Sequence, residues 1–203
     1  LRRIFPAASI SLHTRSWAEG IFRDSGIFDE ILTFEKTRSK LRDATVQARE
    51  LRRHSFDLAV IFPNSFETAL VAKLAKIPRR FGYAKESRGF LLTDSLPIPE
   101  WKNERHEVFY YLNLVAAVER EFTGTETAFA REPEIRLEVS AARREKARSF
   151  LAESGVDLTK KTVALGVGST NSRAKRWPAE NYAKLNDLLQ NELGVNVVIV
   201  GAN

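Results

Sequence analysis

Short apolar stretches alternate with amphipathic helical patterns along most of this chain, and this alternation constrains the fold more than any other feature. The clearest case lies near the end, where TVALGVG is typical of a strand, PAENYAKLNDLLQNELG of a helix and VNVVIVG of a second strand. Two strands joined through a helix form a βαβ unit and run parallel. The pattern therefore predicts an α/β fold built on parallel sheets covered by helices.

The same alternation occurs on both sides of residue 140, which predicts two doubly wound domains, 1–139 and 140–203. Four strands are predicted in the first half, at residues 9–14, 30–34, 57–62 and 80–83. A further short strand is expected near residues 90–93. Residues 123–133 are polar and contain Gly124 and Pro133, as connections between domains often do. Met is absent even at position 1, so the chain is expected to be a piece of a longer protein.

Residue composition excludes several classes of site. Cys is absent, which removes disulfides, thiol nucleophiles and Cys-ligated metals. The three His residues, His13, His54 and His106, show no metal-binding spacing, and there is no Asp-x-Asp pair. No apolar run exceeds six residues, whereas a membrane-spanning helix needs about 20. We therefore expect no metal, no cofactor and no transmembrane segment.

Positive charge is concentrated in the first half of the chain. Residues 1–100 carry 17 Lys and Arg against 12 Asp and Glu, and the remainder carries 15 against 14. Such a bias attracts anionic partners such as phosphorylated lipids, sugar nucleotides or nucleic acid. A basic nucleic-acid-binding module is one interpretation, although the aromatic residues are not interleaved with the basic runs as a stacking platform requires. The other interpretation of this bias is an ordinary solvated surface.

The loop STNSRAKRW, between the strand TVALGVG and the following helix, is the strongest candidate site. It lies where parallel sheets bind ligands, beside a helix N-terminus that attracts anions. Ser169, Thr170 and Asn171 offer hydrogen-bond donors, and Lys175 adds positive charge. The spacing does not match a dinucleotide-binding or Walker A loop. Ordinary turn residues are the alternative explanation for these polar side chains.

Two segments carry a resemblance to a known family. GVGSTNSRAKRWPAENYAKL, residues 166–185, resembles the donor-site loop of the heptosyltransferases of glycosyltransferase family 9, which build the inner core of lipopolysaccharide. FPNSFETALVAKLAKIPRRFGYAKESRGFLLTD, residues 62–94, is similar to the acceptor domain of that family, and RRIFPAASISLHTRS adds a weaker likeness. The KRWP form with PNS upstream favours type II members over type I.

This resemblance implies a GT-B fold with two Rossmann-like domains, both truncated here. It implies inverting, metal-independent transfer of heptose from ADP-L-glycero-D-manno-heptose to a lipid-linked core oligosaccharide. The implied location is the cytoplasm, with peripheral contact at the inner membrane and no nucleic-acid partner. A family member that uses another nucleotide sugar is the alternative within enzymes.

The resemblance also assigns residues. Ser169, Thr170, Asn171 and Lys175 would contact the donor. The candidate acceptor-binding residues follow predicted strands or carry positive charge; they are Asn64, Ser65, Arg80 and Arg88. Asn64, with Glu67, is also explained as the start of a helix. The family's catalytic Asp would precede Leu1, so no catalytic residue is predicted in this chain and the fragment is expected to be inactive.

Overall fold

The computed structural model describes residues 1–168, 174 and 176–201. The chain divides into two compact units, Leu1–Glu138 and Val139–Asn203. All strand pairs in the described ranges are parallel, which confirms the predicted α/β class. The boundary expected from the sequence, between residues 139 and 140, lies one residue beyond this division.

The first unit contains two parallel sheets. Strands β1 (Ser11–Arg15) and β2 (Glu30–Phe34) form one sheet, with helix α1 (Ser16–Phe22) between them in sequence. The second sheet has the strand order β3–β4–β5, built from β3 (Leu58–Val60), β4 (Arg79–Tyr83) and β5 (Asp94–Leu96). The helices of this part are α2 (Lys40–Arg53), α3 (Phe66–Leu74) and α4 (Glu107–Thr123), and short 3-10 helices occupy Gly89–Leu91 and Glu100–Asn103.

The β3–β4–β5 sheet is covered on both faces. Ala59 and Ile61 belong to a cluster with Ala48, Ala69 and other small residues of α2 and α3. Their sequence neighbours on the opposite face, Leu58, Val60 and Phe62, pack with side chains of α4 such as Leu114 and Val118. Alternate residues of a strand point to opposite faces, so a continuous apolar run is what a doubly covered strand requires.

Two local predictions are wrong. Residues 90–93 do not form a strand, because Gly89–Leu91 is a 3-10 helix and β5 begins only at Asp94. Phe90 is exposed, which breaks the apolar pattern a buried strand would need. Asn64 does not cap α3, since the cap is Ser65, whose side chain accepts a hydrogen bond from the backbone N–H of Thr68.

The second unit contains the predicted βαβ arrangement. Helix α5 (Ala141–Glu153) begins after Ser140, whose Oγ accepts from the N–H of Arg143. Strands β6 (Thr162–Gly166) and β7 (Asn196–Val200) pair in parallel, and helix α6 (Ala179–Leu193) connects them. Gly194 ends α6 at φ 60°, a left-handed conformation that glycine adopts at little cost.

Within residues 1–168, 174 and 176–201, no helix has both the length and the apolar character needed to cross a bilayer.

Candidate functional site

The candidate donor loop connects the end of β6 to the start of α6. The described elements on either side of it are the carboxyl end of β6, in the β6–β7 pair, and the N-terminus of a 15-residue helix. The Tyr182 hydroxyl donates to the carbonyl oxygen of Gly166 at 3.3 Å, and Trp177 packs edge-on against Tyr182 at 5.0 Å between ring centroids. These contacts tie the two ends of the loop together. Backbone N–H groups at such a helix start favour an anion.

The residues predicted to contact the donor, Ser169, Thr170, Asn171 and Lys175, lie outside the described residues. Their roles stay predictions. Two described residues bound the segment that contains them, namely Gly168, at φ 99°, and Trp177, which is about half exposed.

At the carboxyl edge of the β3–β4–β5 sheet, the structure brings Asn64, Ser65 and Arg88 together. The Arg88 guanidinium is fully buried. Its Nη1 donates to the carbonyl oxygens of Pro63 and Ser65, and its Nη2 donates to Asn64 Oδ1 at 3.3 Å. Its Nε donates to the carbonyl oxygen of Tyr83 at 2.9 Å, so one side chain joins the loop after β3 to the end of β4.

Arg88 is buried without a carboxylate hydrogen-bond partner in the described part of the chain. Burial lowers its pKa, and carbonyl oxygens supply the compensating hydrogen bonds. Gly82 provides room, because a Cβ there would lie 3.3 Å from Arg88 Nη2. These contacts give Arg88 a positioning role for Asn64 and Ser65. Direct contact of Arg88 with an acceptor stays a prediction.

Arg80 is not brought to this edge. It is the second residue of β4, and its Nε donates to the carbonyl oxygen of Leu91 at 2.8 Å. Its Nη1 donates to the carbonyl oxygen of Ile77, which precedes the strand, at 2.5 Å. The five residues of β4 span about 13 Å, so the start and the end of the strand are separate places. Among the predicted acceptor residues, Arg80 therefore stands apart from the other three.

A buried tyrosine network at the same edge was missed in the sequence. Tyr83 and Tyr110 stack with their ring centroids 4.0 Å apart, and Tyr83 Oη donates to the carbonyl oxygen of Tyr110 at 2.7 Å. Asn113 Nδ2 donates to Tyr83 Oη at 2.9 Å, and Tyr110 Oη donates to Asn64 Oδ1 at 3.2 Å. The spacing of Tyr110 and Asn113 along α4 could have indicated this network, since residues three apart lie on the same face of a helix.

The alkaline stability of the first unit is expected to depend on Tyr83. Burial raises the pKa of Tyr83 to about 12, above its ordinary value of 10. The folded state therefore holds a proton that the unfolded state releases, and stability falls as pH rises from about 10 to 12, by ~1.4 kcal/mol per pH unit at most. Urea unfolding across this range should show a weaker pH dependence in Tyr83→Phe. An equal dependence in both proteins would contradict this assignment.

The cap of α3 allows a structural role of Ser65 to be separated from a binding role. Ser65→Ala is expected to lower the free energy of unfolding by about 1 kcal/mol, because a backbone N–H loses its acceptor. Ser140→Ala is the matched control, since Ser140 caps α5 with the same geometry. If Ser65 also contacts the acceptor, only Ser65→Ala raises the acceptor KM. Equal KM values for the two variants would leave capping as its whole role.

In the described part of the chain, no three His, Asp or Glu side chains are grouped so that they could hold a metal ion.

Comparison with known proteins identifies the family. Residues 45–203, which include parts of both units, match Glycosyltransferase family 9 (heptosyltransferase). The chain is 26% identical over 210 aligned residues to lipopolysaccharide heptosyltransferase 2 of Salmonella typhimurium, with all of this chain and 57% of that protein covered. The chain thus spans little more than half the length of the curated relatives it matches.

Solved structures of family 9 glycosyltransferases match the fold of this chain. The Escherichia coli ADP-heptose lps heptosyltransferase II matches with a TM-score of 0.75 and 26% identity, covering 98% of this chain and 56% of that one. A family 9 glycosyltransferase from Veillonella parvula has the same fold, with a TM-score of 0.77, 19% identity, and coverage of 98% and 55%. The fold class is α/β of the GT-B type. On the match across residues 45–203, the chain belongs to glycosyltransferase family 9, the heptosyltransferase family.

Proposed function

We propose that the intact protein transfers heptose from ADP-L-glycero-D-manno-heptose to the inner core of lipopolysaccharide. The observation that carries this proposal is the family match, which runs from α2 through the whole second unit. The matched relatives are named for heptose transfer to lipopolysaccharide or lipooligosaccharide. The E. coli structure is named for ADP-heptose.

The donor diphosphate would lie between the loop after β6 and the start of α6. Thr170 and Asn171 would donate hydrogen bonds to it, and Lys175 would balance its negative charge together with the N–H groups of the helix start. Because cationic and N–H groups serve that electrostatic task, the transfer needs no divalent metal. The position of this loop at a sheet edge and a helix N-terminus supports the assignment.

The acceptor would approach the carboxyl edge of the β3–β4–β5 sheet, near Asn64 and Ser65. Its hydroxyl oxygen forms a bond to the anomeric carbon as the bond from that carbon to the ADP oxygen breaks. The proton goes to a general base, and ADP leaves with the electron pair. Attack from the side opposite ADP inverts the anomeric configuration. Because the acceptor is lipid-linked, the reaction would take place at the cytoplasmic face of the inner membrane.

A donor screen with the intact protein tests this proposal. Lipopolysaccharide acceptors whose inner core carries either no heptose or a single heptose are incubated with ADP-heptose or with other nucleotide sugars, with and without EDTA, and the product is examined by mass spectrometry and NMR. We expect turnover with ADP-heptose alone, an inverted anomeric centre, and the same rate in EDTA. Turnover only with another sugar would favour the related transferase, and loss of activity in EDTA would contradict the metal-independent mechanism.

A further inference from the structure

A cavity of about 310 Å³ lies in the first unit, beside the first turns of α4. Three aromatic side chains, four polar ones and a proline line it, namely Trp101, Phe109, Phe129, Arg105, Asn113, Arg131, Glu132 and Pro133. Its volume is at the low end of the range for small-molecule sites. None of these residues belongs to the predicted donor or acceptor sets.

The cavity has an excess of positive charge. Arg105 lies over the ring of Phe109 at 4.2 Å and over that of Trp101 at 5.4 Å, and these ring contacts do not consume its N–H donors. Neither Arg105 nor Arg131 forms an ion pair with a carboxylate in the part of the chain that the structure describes. Glu132 is the single acidic residue of the lining, so two cations face one anion. A guanidinium group presents a planar set of donors that matches a carboxylate or a phosphate.

The rest of the lining suits a sugar ring. Arg105 covers one face of Trp101 and one of Phe109, whereas the ring of Phe129 provides flat apolar surface, on which the C–H groups of a pyranose can lie. Hydrogen-bonding groups beside that ring can reach the sugar hydroxyls. Asn113 supplies such a group, and its Nδ2 also donates to Tyr83 Oη at the end of β4. Through Tyr83 and Tyr110 the cavity is connected to Asn64 at the carboxyl edge of the sheet.

We propose that this cavity binds one sugar unit of the acceptor that carries a carboxylate or a phosphate group. The ring of Phe129 holds the sugar ring, and Arg105 and Arg131 bind the anionic substituent. The inference rests on the proposed function, since it names the class of acceptor that the first unit takes. It adds a specificity site to the acceptor edge, beyond the residues predicted from the sequence.

NMR of the tryptophan indole groups in the 203-residue chain tests binding without any need for activity. The Trp101 indole signal is assigned with Trp101→Phe and followed during titration with mannose 6-phosphate, glucuronate, mannose and inorganic phosphate. We expect saturable shifts with at least one of the two anionic sugars, which shows whether phosphate or carboxylate is preferred. Mannose and inorganic phosphate should each bind at least about tenfold more weakly.

Variants of the two arginines complete the test. Arg105→Gln and Arg131→Gln are each expected to weaken binding of the anionic sugar about tenfold. Arg49→Gln is the matched control, because Arg49 is an exposed arginine of α2 outside the cavity lining. The proposal is overturned if no probe shifts Trp101, if mannose or inorganic phosphate binds as tightly as the anionic sugars, or if the control loses as much affinity.

The intact protein distinguishes this inference from the proposed function. With heptose transfer established, Arg131→Gln should raise the acceptor KM about tenfold and leave the KM for ADP-heptose unchanged. An unchanged acceptor KM would overturn the cavity assignment while heptose transfer stands. Absence of heptose transfer by the wild-type protein would instead overturn the proposed function, and binding at Trp101 would still be measured separately.

Discussion

Lys175→Ala in the intact protein is expected to lower kcat/KM for the donor about 10²- to 10³-fold, while the fold is retained. Negative charge develops on ADP as its bond to the anomeric carbon breaks, and a cation beside it stabilises that charge. Removing one such preorganised group typically costs about this factor in rate. Initial rates at varied ADP-heptose concentrations, together with circular dichroism of both proteins, provide the measurement.

Lys184→Ala is the matched control for this prediction. Lys184 lies on α6, is exposed, and belongs to the same unit. Its removal changes the net charge equally, so any long-range electrostatic effect on donor binding is included in the comparison. We expect near wild-type kinetics for Lys184→Ala and partial activity for Lys175→Arg. Unchanged turnover in Lys175→Ala would remove Lys175 from the donor site.

Arg88→Ala is expected to have the largest effect on stability, about 2–5 kcal/mol in the free energy of unfolding, from lost hydrogen bonds and lost packing. The buried guanidinium donates to carbonyl oxygens of Pro63, Ser65 and Tyr83 and to Asn64 Oδ1. Removing it takes one donor from each of these acceptors and opens a cavity against β4. Urea unfolding followed by tryptophan fluorescence measures the change.

Two further variants show whether the geometry of Arg88 or only its charge matters. Arg53→Ala, at an exposed position of α2, controls for the loss of a positive charge and should change stability by less than about 0.5 kcal/mol. Arg88→Lys keeps the charge but cannot form the same set of bonds, so it should remain destabilised. A wild-type unfolding curve for Arg88→Lys would contradict the positioning role.

Local patterns predicted much of the architecture. Alternation of apolar strands with amphipathic helices predicted the parallel α/β class, and the predicted helix PAENYAKLNDLLQNELG ends at Gly194, where the structure ends α6. Capping and periodicity depend on residues close in sequence, so they can be seen without a structure. Ser65 shows where such local patterns fail to predict a cap. Asn64 and Ser65 are both good N-cap residues, but Asn64 Oδ1 accepts from Arg88 and Tyr110, and Ser65 caps α3.

The candidate site residues also fall into those found from local sequence and those whose placement needs the tertiary structure. Ser169, Thr170, Asn171 and Lys175 were found from one continuous loop and remain predictions. The acceptor residues were predicted from their charge and their proximity to strands. In the structure, Asn64, Ser65 and Arg88 lie together at the carboxyl edge of the sheet, whereas Arg80 lies at the start of β4. Sequence does not show which arginine is buried, because burial depends on packing from several elements.

The sequence by itself determined the class of fold and the family, and it predicts the loop that would hold a nucleotide sugar, since each depends on contiguous residues and their spacing. Tertiary structure alone decided that Arg88 is enclosed by carbonyl oxygens and that Asn113 joins Tyr83 to a cavity lined by Trp101 and Arg131. Those contacts join residues up to about thirty positions apart, and packing of α4 on the sheet brings Asn113 within hydrogen-bond distance of Tyr83.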